Sequence, residues 1–187
     1  MFAVQLFRPD GMMGGSRIVF QRGADTPLMI GTSDEGELFI FDWTQRSTEE
    51  NPKVDFITKL WQNERNSRPC AGLEVSPFFN DIVLTLHDYH FCIWKLDTDY
   101  PIFTSPYIEN AYITCGCWSP TRPGVIIIGR SDGYLDFWDL TDQSHTYIMH
   151  HLVVSVGIST LQFQNDTPKK DTLVIKSVSF LTLIEYW

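Results

Sequence analysis

The sequence predicts an all-β protein, and three observations carry that prediction. A meander of three short strands is legible between Tyr112 and Leu140, the same meander recurs along the chain, and helical periodicity is nearly missing. In the clearest unit, Ile113 to Trp118 is a short apolar run stopped by Ser119-Pro-Thr-Arg-Pro-Gly124, which holds two prolines and a glycine. Val125-Ile-Ile-Ile128 is β-branched throughout, as suits a strand covered on both faces. Ser131-Asp-Gly133 then turns the chain into Tyr134-Leu-Asp-Phe-Trp-Asp-Leu140.

Taken in order, residues 1–16 are expected to hold one strand, Phe2 to Phe7, and then a loop or linker from Pro9 to Gly15. A first unit, 17–61, runs Ile18-Val-Phe20, a break at Gly23 to Pro27, Leu28-Met-Ile30, a turn at Ser33-Asp-Glu-Gly36, and Leu38-Phe-Ile-Phe-Asp42. After a polar insertion, Thr44 to Pro52, Val54 to Trp61 reads as a fourth, outer strand. The second unit, 68–107, has Cys70 to Val75, a stop at Ser76-Pro77, Ile82 to Leu86, a turn at His87-Asp88-Tyr89, and Phe91-Cys-Ile-Trp-Lys-Leu96. Its outer strand, Tyr100 to Tyr107, carries Pro101 and Pro106, which an edge tolerates because missing amide donors do little harm there. The third unit, 112–152, ends on an outer strand from Tyr147 to Leu152. A fourth, 156–187, has strands Ile158 to Phe163, Leu173 to Lys176 and Phe180 to Trp187, with a turn at Asn165 to Lys170.

Equivalent positions Phe41, Trp94, Trp138 and Ile184 follow one another at 53, 44 and 46 residues, bracketing the ~40 to 45 of propeller blades with short insertions. A β-sandwich has no reason to repeat a Ser-Pro stop and an aromatic-acid ending in register. The Trp-Asp ending and the period resemble the WD-repeat β-propellers, in which each blade is a small antiparallel sheet. Such rings need about 4 to 8 blades, and those of the WD-repeat family commonly have seven. The expected fold is therefore a partial propeller of about four blades, a fragment of a larger ring or an incomplete gene model.

With 43% hydrophobic and 14% aromatic residues, 187 residues are ample for a packed core. A net charge of -9 and a pI of about 4.9 argue against nucleic acid and anionic membrane as partners. Lys169-Lys170, flanked by Asp166 and Asp171, reads as a solvated hairpin tip. The apolar runs fall short of the ~18 residues of a membrane span, and a soluble cytoplasmic protein is expected. Cys70, Cys92, Cys115 and Cys117 lack metal-ligand spacing and read as reduced core thiols. His87-Asp88-Tyr89-His90 occupies a turn, where neighbouring side chains are not expected to converge, and His150-His151 face opposite ways on a strand. No phosphate loop, nucleophile elbow or paired-carboxylate motif is present, so no catalytic residue, cofactor, metal or small-molecule substrate is expected.

Two stretches narrow the resemblance further. Val75-Ser-Pro-Phe-Phe-Asn-Asp-Ile-Val-Leu-Thr85 with Ile93-Trp94, and Trp118-Ser-Pro-Thr-Arg-Pro-Gly-Val125 with Gly129-Arg-Ser-Asp-Gly-Tyr-Leu-Asp-Phe-Trp-Asp-Leu140, resemble the C-terminal propeller of the axonemal dynein intermediate chains. The resemblance covers about residues 27–187. Arg122-Pro-Gly-Val125 and Gly129-Arg130 with Gly133-Tyr134 look more like the double-headed inner-arm type than the outer-arm type. It implies a non-catalytic structural subunit of the ciliary axoneme that binds the dynein heavy chain, alongside other dynein intermediate or light chains. The alternative is a WD-repeat adaptor, unrelated to dynein, with a peptide or protein ligand. The Gly-His dipeptide of many WD repeats is absent, so their buried His-Asp network cannot be carried over, and neither can a light-chain site.

Partner contacts are expected where turns present side chains on a rigid frame. Arg122 and Arg130 lie in turns and suit acidic helices, or are simply solvated. Trp61 borders the long insertion and is either an exposed anchor or buried beneath that insertion.

Overall fold

The computed structural model describes residues 6–8, 11–21, 28–42, 57–61, 68–164, 171–177 and 181–186. The expected break at Gly23 to Pro27, the insertion at Thr44 to Pro52 and the turn at Asn165 to Lys170 lie outside them, as do the start of the first expected strand and the chain's last residue. Among the described residues every regular element is a strand.

The first blade is a four-stranded antiparallel sheet of β3 (Gly15–Phe20), β4 (Leu28–Ser33), β5 (Leu38–Asp42) and β6 (Ile57–Trp61), following a ribbon of β1 (Leu6–Arg8) and β2 (Gly11–Met13). The second holds β7 (Gly72–Val75), β8 (Ile82–Leu86), β9 (Phe91–Lys95) and β10 (Pro101–Thr104). The third holds β11 (Ile113–Trp118), β12 (Val125–Arg130), β13 (Tyr134–Asp139) and β14 (Met149–Leu152). β15 (Ile158–Gln164), β16 (Asp171–Ser177) and β17 (Leu181–Tyr186) form the fourth. Each sheet is a plain meander in chain order.

Cross-strand register confirms the equivalence read from the repeats. Phe41 faces Met29, Trp94 faces Val83, Trp138 faces Ile126 and Ile184 faces Leu173, so the four positions are the same site in four blades. The stops repeat as well. Ser76 Oγ accepts the N–H groups of Phe78 and Phe79, and Ser119 Oγ accepts those of Thr121 and Arg122, so each serine caps its own turn. Both glycine turns close in the same way: Gly36 (φ 81°) donates to Ser33 and Gly133 (φ 85°) to Arg130.

Because successive strand residues point to opposite faces, each sheet has two apolar faces, and stacking buries them in seams. Ile30, Leu38 and Ile40 of the first blade meet Val83, Cys92 and Trp94 of the second. Leu84, Leu86 and Phe91 on the second blade's other face meet Ile126, Ile128 and Trp138. Ile127, Leu135 and Phe137 meet Ile158, Leu173 and Ile175 of the fourth. The inner strands β3, β7, β11 and β15 together line a cavity of about 310 Å³ bordered by Arg17, Glu74, Gly116 and Leu161. Four blades side by side around a shared central cavity are the arrangement of a WD-repeat propeller.

One expectation is corrected. The stretch Pro9 to Gly15 is not a loop throughout: Gly11–Met13 pairs with Leu6–Arg8, and buried Met13 packs on Phe39 and Phe41. Those two rings point away from the second blade, and covering them is the gain that orders β2.

Candidate recognition surface

The three residues singled out from sequence are not brought together. Trp61 is 2% exposed, packs in the seam between the first two blades, and donates its indole N–H to the Thr98 carbonyl. Lys59 Nζ lies 4.5 Å from the ring centroid. Burial is therefore the outcome for Trp61, and it anchors blade to blade. Arg122 is exposed in the β11–β12 turn, with its backbone N–H on Ser119 Oγ. Arg130 ends β12, so the two arginines sit at opposite ends of a six-residue strand, separated by about 17 Å.

Arg130 is not a free turn cation. Its side chain is 11% exposed and forks onto Asp132, with Nε to Oδ1 at 3.1 Å and Nη2 to Oδ2 at 2.7 Å, while Nη1 reaches Asp136 Oδ2 at 3.3 Å. Burial works against the guanidinium charge, but the two carboxylates outweigh it and raise the pKa. Asp136 is fully buried and takes a second partner, His150, with Oδ1 2.5 Å from Nδ1. Tyr134 stacks on the His150 ring at 4.1 Å. In the sequence His150 stands out only as half of a His-His pair. The missing signal is the β13–β14 register, which sets Asp136 directly opposite His150. The cluster borders a groove of about 370 Å³ between the second and third blades, lined by Pro106, Tyr107, Trp138, His145 and Tyr147 as well as Arg130. β14 beside it is exposed along its whole length, with Met149 and Leu152 at 49%.

Inside the second blade the structure supplies a polar chain in place of the absent Gly-His network. Trp94 donates its indole N–H to Thr85 Oγ1 at 2.9 Å, Thr85 Oγ1 lies 3.0 Å from His87 Nε2, and His87 Nδ1 lies 3.6 Å from Cys70 Sγ. Burial first, and the neighbouring His90 second, push the His87 imidazole down to about 3. Burial likewise pushes the Cys70 thiol up to about 12. In the third blade Ile128 stands at the register position of Thr85 and offers no oxygen, and Trp138 Nε1 is left without a hydrogen-bond partner. The expectation that His87 and His90 do not converge is corrected. The tight turn, closed by His87 N–H on the His90 carbonyl, sets their rings 4.9 Å apart, and ligand atoms of His87, His90 and Cys92 all lie within 4.8 Å of one another.

Comparison with known proteins places this architecture. Residues 15–183 match the family described as the dynein axonemal intermediate chain 3 WD40 domain. The human dynein axonemal intermediate chain 3 is 34% identical over 124 residues, which are 64% of this chain and 13% of the human protein. The 70 kDa intermediate chain of the flagellar outer arm of Chlamydomonas reinhardtii is 33% identical over 131 residues, 68% of this chain and 22% of that protein. Ciliary dynein intermediate chain 3 of the sea urchin Heliocidaris crassispina is 42% identical over 131 residues, 70% of this chain and 20% of its own length. The chain thus spans about a fifth or less of the human and sea urchin relatives. A match over residues 15–183, on four blades with the same repeat register, shows that the chain belongs to the WD40 domain family of the axonemal dynein intermediate chains.

Proposed function

We propose that this chain is propeller blades of a non-catalytic structural subunit of an axonemal dynein, seated on the heavy chain within the ciliary or flagellar axoneme and supporting its motility. The observation that carries the reading is the family match along residues 15–183. The relatives' names, axonemal, ciliary and flagellar, support the location. A motor tail under load needs rigid seating, and stacked blades with continuous apolar seams are stiff frames for it. Standard docking surfaces bury about 1,200 to 2,000 Å², so contacts should be spread over turns and rims, with exposed Arg122 as one of them. Arg130 then contributes by holding β12, β13 and β14 together through Asp136 and His150. Other dynein intermediate or light chains complete the assembly. The motif Arg122-Pro-Gly-Val125 favours the inner arm, while the outer-arm name of the algal relative is the competing assignment.

The test is expression of the tagged full-length protein in a ciliated cell, followed by fractionation and recovery of bound proteins. Axonemal enrichment with a dynein heavy chain recovered near one to one is expected, reduced by Arg122→Glu. Distribution through the cytosol with no heavy chain recovered would overturn the proposal in favour of an unrelated adaptor. Which heavy chain is recovered decides the arm.

A further inference from the structure

We propose that the second blade holds a structural zinc ion between Cys70, His87, His90 and Cys92. The sheet does the gathering that sequence spacing hides. Cys70 comes from the approach to β7, His87 and His90 from the two ends of the β8–β9 turn, and Cys92 from β9. All four are buried.

Tetrahedral zinc has bonds of about 2.3 Å to sulfur and about 2.0 to 2.1 Å to nitrogen, so its sulfur-nitrogen edges are about 3.6 Å and its whole set of edges about 3.3 to 3.8 Å. Cys70 Sγ and His87 Nδ1 are already 3.6 Å apart. The His87 and His90 rings are stacked at 17° with centroids 4.9 Å apart, close to the ~5 Å that two imidazoles take on one tetrahedral ion, and a ring rotation aims both lone pairs at it. The ligand atoms of His87, His90 and Cys92 lie within 4.8 Å of one another and need to draw in by about 1 Å, while Cys70, which reaches this group through His87 Nδ1, has to close on His90 and Cys92 as the ion binds.

Surrounding groups fit the same assignment. With its proton on Nε2 and donated to Thr85 Oγ1, 3.0 Å away, the His87 ring leaves the Nδ1 lone pair facing Cys70. An outer hydrogen bond of this kind fixes tautomer and ring orientation in metal-bound histidines. Thr104 Oγ1 lies 3.6 Å from Cys92 Sγ, where a hydroxyl steadies a thiolate. The Tyr107 ring lies tilted against His90, with centroids 5.1 Å apart, on the outer side.

The charge balance suits a buried place. Binding releases the two thiol protons to solvent, and two thiolates with two neutral imidazoles cancel the two charges of the ion, so a neutral unit is buried instead of an isolated charge. Four protein ligands leave no open position, so the site staples β7 to the β8–β9 hairpin and does no chemistry.

The experiment uses the 187-residue chain purified from cells grown with added zinc. Elemental analysis after a chelator wash should find one zinc per chain. Cobalt(II) added to the stripped, folded chain should give the visible bands of a tetrahedral site and the near-ultraviolet thiolate-to-cobalt band. Cys92→Ser and His90→Gln should lose zinc affinity by more than the ~10–100-fold that loss of an outer partner costs, and Cys117→Ser should keep it. Less than a tenth of an equivalent in the folded wild-type chain, with no tetrahedral cobalt spectrum, overturns the proposal whether or not the variants fold. So does zinc held equally well by Cys92→Ser.

Discussion

Replacing Thr85 by valine isolates the polar chain inside the second blade. Thr85 is 1% exposed; its hydroxyl accepts the Trp94 indole N–H at 2.9 Å and lies 3.0 Å from His87 Nε2. Valine keeps the shape and removes both bonds. Each buried group left unsatisfied costs about 1–3 kcal/mol, and a methyl in place of the hydroxyl returns about 1 kcal/mol of apolar burial. The net loss is about 1–5 kcal/mol, which for a chain of this size lowers Tm by about 6–12 °C at the middle of that range. Thr85→Ser keeps the oxygen, loses one methyl and should cost only about 1 kcal/mol. Urea and thermal unfolding followed by tryptophan fluorescence, with a chelator present, make the measurement. A valine variant within about 0.5 kcal/mol of wild type, or a serine variant worse than valine, would refute the reasoning.

Three other outcomes follow from the same structure. Asp136→Asn breaks a fully buried carboxylate away from Arg130 and His150; a loss of about 3–5 kcal/mol in urea unfolding is expected, with β14 cut early in limited proteolysis. Gly133→Ala puts a methyl 1.8 Å from the Val154 carbonyl oxygen at φ 85°, so it should cost well beyond the ~1–2 kcal/mol of the left-handed conformation alone, measured against Gly15→Ala, where the added carbon meets nothing within 4 Å. Burial pushes the Cys115 thiol up to about 11 and Cys117 higher still; at pH 8 both should resist alkylation in the folded chain and react fully in denaturant without prior reduction, as mass spectrometry of the labelled chain will show.

How far the fold was legible depended on whether the signal was local. The pairing of Trp138 with Ile126 and the Gly133 turn are set by short spacings within one hairpin, so repeats alone located them. Ser76 and Ser119 carry their own mechanism, since a serine hydroxyl caps the turn that its own proline opens. The Asp136–His150 pair was hidden because it depends on register across the irregular stretch between β13 and β14, where no local rule counts residues. Trp61 was ambiguous for another reason. Aromatic type alone does not say which face of an outer strand meets the next blade, and the seam decided it. The meeting of His87, His90 and Cys92 has no local sequence signal, because turn-forming residues alone do not say whether their side chains spread or converge. Here the turn brings both its ends to one face of the hairpin, where Cys92 also points.

The most direct test of the account is cross-linking mass spectrometry on intact axonemes from cells that carry the full-length protein. Lys176 is exposed and Lys95 partly so, which gives the reagent points on the fourth and second blades. The account predicts cross-links from these lysines to a dynein heavy chain, at reagent lengths compatible with direct seating. Cross-links confined to proteins outside the dynein complex, from a chain that is present and folded in the axoneme, would contradict it.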